Sequence, residues 1–215
     1  MNEIRKTEID KENIPIVTIV LVVFISLLGL RQLSIGMSSL WDKYAMYQGA
    51  IGNNEAYRLI TCAFLHADQD HLMHNMITLG IFGYCLENQI GRIRFALLYI
   101  VGLLGSSLLI NFAGGYGAHH AGASGAIYAV VSATIIIQCV GNRQYFYIIF
   151  YVLYDVYYNI SSNVSWQGHL GGAIVGIIFA IIFLLMHVNN DKSKKLFNKN
   201  KLKNNKYSSD DNVYY

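Results

Sequence analysis

Long stretches of this chain carry no charged side chain at all, the one between Arg94 and Arg143 being an example. An apolar run long enough to cross a bilayer leaves its backbone few options, because in lipid every N–H and C=O must be satisfied inside the protein. Hydrophobic residues make up 54% and charged residues 13% of the chain, against roughly 25% charged in soluble domains. A hydrocarbon core of about 30 Å needs about 20 residues of helix. By that measure six spans are predicted: Ile14–Ile35, Leu72–Leu86 with its flanks, Phe95–Ala113, Ser124–Val140, Tyr145–Ile160 and Leu170–Val188. None alternates in the way a β-barrel strand does. The expected fold class is therefore an all-α polytopic membrane protein, a six-transmembrane-helix bundle. Several spans are short, which implies tilt, local thinning or helices that begin below the surface.

Sixteen Lys and Arg residues set the expected orientation. With the N-terminus in the cytoplasm, Arg5, Lys6, Lys11, Arg92, Arg94, Arg143 and the seven lysines from Lys192 to Lys206 fall inside; Arg31, Lys43 and Arg58 fall outside. The split of 13 to 3 obeys the positive-inside rule, so both termini are predicted to be cytoplasmic. The first apolar run is too long for a cleavable signal peptide and reads as a retained helix, with Pro15 in a first turn that tolerates a missing N–H.

Three parts follow: residues 1–13 as a cytoplasmic segment, 14–188 as the membrane domain with an external loop over about 36–70, and 189–215 as a basic, disordered cytoplasmic tail. The external loop scatters Trp41, Tyr44, Tyr47, Tyr57 and Phe64 among polar residues, the pattern of an interfacial segment with short helices. The lysines of the tail suit anionic headgroups rather than nucleic acid. Cys62, Cys85 and Cys139 are odd in number and dispersed, which argues against a disulfide framework or a zinc ribbon.

Polar residues in or beside such spans are costly and mark function. In the expected topology the second, fourth and sixth spans descend from the outer face, and His71, Asn75, Ser124 and His169 fall at one depth. Four residues separate His71 from Asn75, so both project from one helical face. Gly168, Gly172 and Gly176 on the sixth span, and Gly125, Ala129 and Ala133 on the fourth, form small-residue stripes that let transmembrane backbones approach closely. Those stripes would bring His169 to Ser124. A neutral histidine beside a serine hydroxyl is the minimum for nucleophilic attack on a peptide carbonyl. Backbone N–H groups near Ser124, together with His71 and Asn75, would face the oxyanion. Asp155 is the one carboxylate within the fifth span, and a Ser–His dyad is preferred over a triad that includes it.

At these residues the chain resembles the rhomboid intramembrane serine proteases. The resemblance covers about Tyr57 to Val188. It runs through Tyr57-Arg58-Leu59, Phe64-Leu65-His66-Ala67, His71-Leu72-Met73-His74-Asn75-Met76, Leu86-Glu87 with Gly91, and Arg94-Phe95. It continues in Gly122-Ala123-Ser124-Gly125-Ala126-Ile127-Tyr128-Ala129 and Gly168-His169-Leu170-Gly171-Gly172. The resemblance implies Ser124 and His169 as the catalytic dyad, an oxyanion site from His71, Asn75 and Ser124 itself, and Tyr128 packed beneath the histidine, with Gly122 and Gly125 as supporting positions. It implies substrates that are membrane-spanning proteins cut near the outer end of a helix. Six retained spans without a transit peptide favour the bacterial cell membrane, and the aromatic fifth span is a candidate lateral gate for the substrate helix. His74 departs from the family pattern, which is apolar there.

No cofactor is implied. His66, His71, His74, His119 and His120 invite a metal reading, but the spacing lacks the Glu of a His-Glu-x-x-His site, and none is assigned. The alternative function is an inactive rhomboid-like protein that binds membrane clients. Asn159 and Asn163 begin two glycosylation patterns at and just after the end of the fifth span, outside by the expected topology and close to the membrane.

Overall fold

The computed structural model describes residues 14–36, 38–141 and 165–210, and it is mostly helical. Helix α1 spans Ile16–Ile35, α2 Ser38–Tyr44, α3 Arg58–Thr61, α4 Gln69–Ile90, α5 Arg92–Ala113, α6 Ser124–Gly141 and α7 Trp166–Asp210. A 3-10 turn, Cys62–Phe64, follows α3. Two short strands, β1 Met46–Tyr47 and β2 His119–His120, pair antiparallel, with Met46 opposite His120 and Tyr47 opposite His119. The fifth expected span, Asp155, both glycosylation patterns and the segment 1–13 lie outside the described residues, apart from Ser165 at the end of the second pattern.

Three described helices have the length and composition to cross a membrane: Ile16–Ile35, Arg92–Ala113 and the Trp166–Val188 portion of α7. Ser124–Gln138 is apolar but shorter. The chain is thus a multi-pass membrane protein. Helix α4 is long enough at 22 residues, yet its His71, His74, Asn75, Glu87, Asn88 and Gln89 keep it below the apolar content of the other three. Its polarity is partly spent inward: Asn75, Thr78 and Glu87 are buried, while Met73, Ile77, Ile81 and Tyr84 form an exposed stripe of apolar side chains. Such a stripe at helical spacing suits lipid and not water.

One expectation needs correction: Pro15 stands one residue before α1, at its N-cap, rather than inside the first turn. The α7 backbone stays helical to Asp210, with no Gly or Pro after Gly176.

Helices α5, α6 and α7 make the most extensive mutual contacts. Their backbones touch where glycines leave room: a β-carbon on Gly172 would overlap the Gly125 carbonyl, and one on Gly176 would overlap the Ala129 carbonyl. Ser132 Oγ donates to the Tyr128 carbonyl of its own helix at 2.6 Å and stands 3.2 Å from the Ala173 carbonyl of α7.

Helix α1 joins through α4. Pro15 offers no capping side chain, and Glu87 of α4 supplies the cap from a distance. Its carboxylate accepts the N–H groups of Val17 (3.0 Å) and Thr18 (2.7 Å) and the Thr18 hydroxyl (2.7 Å). A carboxylate there satisfies orphan donors and suits the positive end of the helix.

The expected external loop does contain short helices, organised around Arg58. This buried guanidinium donates to the carbonyls of Ala45 and Asp42, both at 2.7 Å, and pairs with Glu55 at 2.9 Å. Tyr47 and Tyr57 lie against it, 5.0 and 5.6 Å from ring centre to guanidinium. The Arg58 hydrogen bond and then that of Tyr47 hold the Glu55 carboxyl below its usual range. Asn111 of α5 anchors the same loop by accepting the N–H groups of Gly49 and Ile51.

Candidate active site

Ser124 begins α6 and His169 lies in the first turn of α7. Ser165 precedes that helix, and its hydroxyl accepts the Gly168 N–H at 3.4 Å, a side-chain cap of the first turn. Close approach at Gly125 and Gly172 sets the two helix starts side by side. Across a separation of 45 residues, His169 Nε2 stands 2.9 Å from Ser124 Oγ. The Tyr128 ring, one helical turn after Ser124, stacks on the imidazole with centroids 4.2 Å apart and planes 13° from parallel. His169 is 7% exposed, and Ser124 is half-buried.

Packing around the pair is tight. A β-carbon on Gly125 would overlap Ser106 Oγ of α5, and one on Gly168 would lie 3.1 Å from the same atom. Sequence reasoning missed Ser106, although a polar pair, Ser106-Ser107, in mid-span was a visible signal. Ser107 Oγ donates to the Leu59 carbonyl at 2.9 Å and so ties α5 to α3.

His71 and Asn75 approach from α4. Gly122 has φ of +120°, a conformation open to glycine and strained for other residues. A β-carbon there would meet His71 Cε1 at 2.9 Å, His71 Nε2 at 3.0 Å and Asn75 Nδ2 at 3.5 Å. Both side chains therefore face the backbone two residues before Ser124. The Gly122 N–H donates to the Cys62 carbonyl at 2.9 Å, which fixes this turn against the 3-10 segment. Asn75 Nδ2 is buried without a hydrogen-bond partner. The Ser124 N–H lies in the first turn of α6, where no intrahelical carbonyl is available to it.

The expected site residues thus occupy one region: Ser124 with His169 and Tyr128, Gly125 at the helix contact, and Gly122 before His71 and Asn75. Chemically the arrangement offers a hydroxyl in contact with an imidazole and, at the backbone of Gly122, the side-chain nitrogens of His71 and Asn75.

The five histidines of the metal reading are split between two places. His66, His71 and His74 lie before and in the first turns of α4, with His66 against His71, whereas His119 and His120 lie on β2. His120 Nε2 bonds the Gly114 carbonyl at 2.6 Å, and burial pushes its imidazole below the usual value against that bond. Among the described residues no group of three or more His, Cys, Asp or Glu is placed to hold a metal ion.

Several known proteins are similar to this chain. RHOMBOID-like protein 1 of Arabidopsis thaliana is 36% identical over 85 residues, 40% of this chain and 22% of that protein. RHOMBOID-like protein 5 of the same plant is 36% identical over 92 residues, 42% and 30% of the two chains. YdcA of Bacillus subtilis (strain 168), described as a candidate rhomboid protease, is 32% identical over 110 residues, 48% and 52%. The matches thus span about half or less of these relatives' own length. The rhomboid domain model matches residues 53–186, well over half of the 215 residues; the chain belongs to the rhomboid family.

Proposed function

We infer that the protein is an intramembrane serine endopeptidase that cleaves transmembrane segments near the outer face of the membrane. The observation that carries this reading is the 2.9 Å contact between Ser124 Oγ and His169 Nε2 in a helical membrane bundle, with Tyr128 stacked on the imidazole. His169 accepts the Ser124 proton at Nε2 as Oγ attacks the peptide carbonyl. The carbonyl oxygen gains charge as the tetrahedral intermediate forms. Asn75 Nδ2–H, His71 Nε2–H and the Ser124 N–H serve as its donors, a role that the buried, unpartnered Asn75 amide supports. The imidazolium then protonates the leaving amine, and a water repeats the sequence on the acyl-enzyme. Tyr128 keeps the imidazole plane fixed through both proton transfers.

Six spans, with both termini in the cytoplasm of a bacterial cell, complete this reading. The 13-to-3 distribution of Lys and Arg supports it and sets the dyad toward the outer face. The partners are transmembrane protein substrates and the bilayer itself. Serine attack and histidine proton transfer call on no cofactor.

The test is cleavage of a transmembrane substrate by liposome-reconstituted protein, comparing wild type with folded Ser124→Ala and His169→Ala. Both variants are expected to fall to background, with wild-type cleavage indifferent to chelator and Ser124 labelled by a fluorophosphonate. Activity persisting in Ser124→Ala sinks the mechanism. A folded wild type that neither cleaves nor reacts with the fluorophosphonate points instead to the client-binding alternative.

A further inference from the structure

His66 is fully buried, at 0% exposure, and neither of its ring nitrogens has a hydrogen-bond partner. Two unpaired polar atoms in such a place cost stability, so the imidazole is not there for the fold's sake. Its ring instead stands edge-to-face against His71, with centroids 5.2 Å apart and planes at 68°. The backbone beside it is held as well. The His66 N–H donates at 2.9 Å to Oε1 of Gln32, a buried side chain on α1. The next two residues also hold His71: the Ala67 N–H reaches His71 Nδ1 in a long bond of 3.5 Å, and Asp68 Oδ1 accepts the His71 N–H at 2.7 Å.

These contacts have one chemical consequence. A ring nitrogen that accepts a backbone N–H carries no proton, so in the neutral imidazole the proton sits on the other nitrogen. Nδ1 of His71 accepts from Ala67, and Nε2, the nitrogen that faces Gly122, becomes the donor. The ring must keep one rotation for this to hold, and the His66 ring packs against it edge-to-face.

We propose that His66 is a positioning residue, anchored to α1 through Gln32, whose ring holds His71 in the orientation and tautomer that present Nε2–H to the reacting carbonyl oxygen. This role rests on the oxyanion contact assigned to His71 and extends the site's support to the first helix. His66 touches no reacting atom.

The test uses full-length protein in liposomes, with kcat and KM measured for a transmembrane substrate, and nitrogen NMR of histidine-labelled protein in micelles. His66→Ala is expected to lower kcat by about tenfold to a hundredfold while KM stays within about twofold, the signature of a misplaced group that acts in the transition state. Its His71 signals should shift from a single Nε2–H form to a mixture of tautomers. His66→Phe, which keeps a flat ring and removes the unpaired nitrogens, should restore kcat to within about threefold of wild type and unfold at the same or a higher temperature. Gln32→Leu should show the same kcat-only loss to a lesser degree. Unchanged kcat in His66→Ala, or unchanged His71 nitrogen signals there, overturns the proposal. If the Phe variant does not fold, the nitrogen signals of His66→Ala decide alone. Loss of cleavage in Ser124→Ala with full activity in His66→Ala removes this inference and leaves the serine mechanism standing.

Discussion

The trio α5–α6–α7 and the pair α1–α4 solve the same problem, tight helix association in lipid, by different means. In the trio, glycines bring backbone against backbone, and the Gly172 Cα lies on the Gly125 carbonyl with no side chain between. In the pair, buried polar side chains reach across: Glu87 caps α1 at one end, and Gln32 holds the His66 N–H at the other. Backbone contact leaves almost no freedom, which suits two groups that must stay 2.9 Å apart. Polar side-chain contact tolerates adjustment, which suits elements that support the site from one layer out.

The contrast is most sharply broken at Gly172. Gly172→Val should separate α6 from α7, cost about 3 kcal/mol or more, and abolish cleavage even in the fraction that remains folded. Unfolding in mixed micelles and cleavage per folded molecule check both parts. Equal loss from a valine at an exposed position of α7 such as Ile178 would argue against a specific close contact.

Glu87→Ala comes next. It strands the Val17 and Thr18 N–H groups, at a cost of about 2 kcal/mol. Activity per folded molecule should hold nearly constant, since Glu87 acts at the end of α1 opposite Gln32. Glu87→Gln, which keeps one acceptor oxygen, should recover about half of the lost stability.

Acid should reveal the remaining differences. Burial first, and then the nearby His71, push the His66 imidazole down to about 3. The folded state therefore resists protonation while the unfolded chain accepts a proton near 6.5, and stability is lost as pH falls from about 6.5 toward 3. His66→Phe should flatten that slope, as read from unfolding midpoints across the range. The Glu55 carboxyl, lowered by Arg58, contributes stability above its unfolded value that disappears as pH falls through its folded one. This smallest effect should be confined to the segment between α1 and α4 and show as faster hydrogen exchange around Ala45 and Arg58. Arg58→Met should remove it.

Legibility in the sequence tracked the range of the interactions involved. The first, third and fourth expected spans lie within three residues of α1, α5 and α6 at either end, because hydropathy is a local property. The second was harder: α4 turns Asn75 and Glu87 inward, and its apolar face emerges only once burial is known. Ser124, His169, His71 and Asn75 could be named as one group because a depth argument replaces the missing coordinates with the thickness of a bilayer. His66 stood in the sequence within the Phe64-Leu65-His66-Ala67 match and among the histidines of the metal reading, but without a role of its own, since neither its complete burial nor its contact with His71 has any local signature. Glu87 likewise offers no sign that it caps a helix 69 and 70 residues away.

By itself the sequence determined a multi-pass helical membrane protein, the helices that carry the polar residues and the small-residue stripes through which two of them meet. Those are consequences of helix length, solvent and side-chain size, each readable within a few turns. The tertiary structure alone decided that Nε2 of His169 meets Oγ of Ser124 at 2.9 Å and that Tyr128 lies flat on the ring. It also decided that His66 and Gln32 stand behind His71. Such distances depend on how several helices pack at once, and no window of sequence contains all of the surfaces that set them.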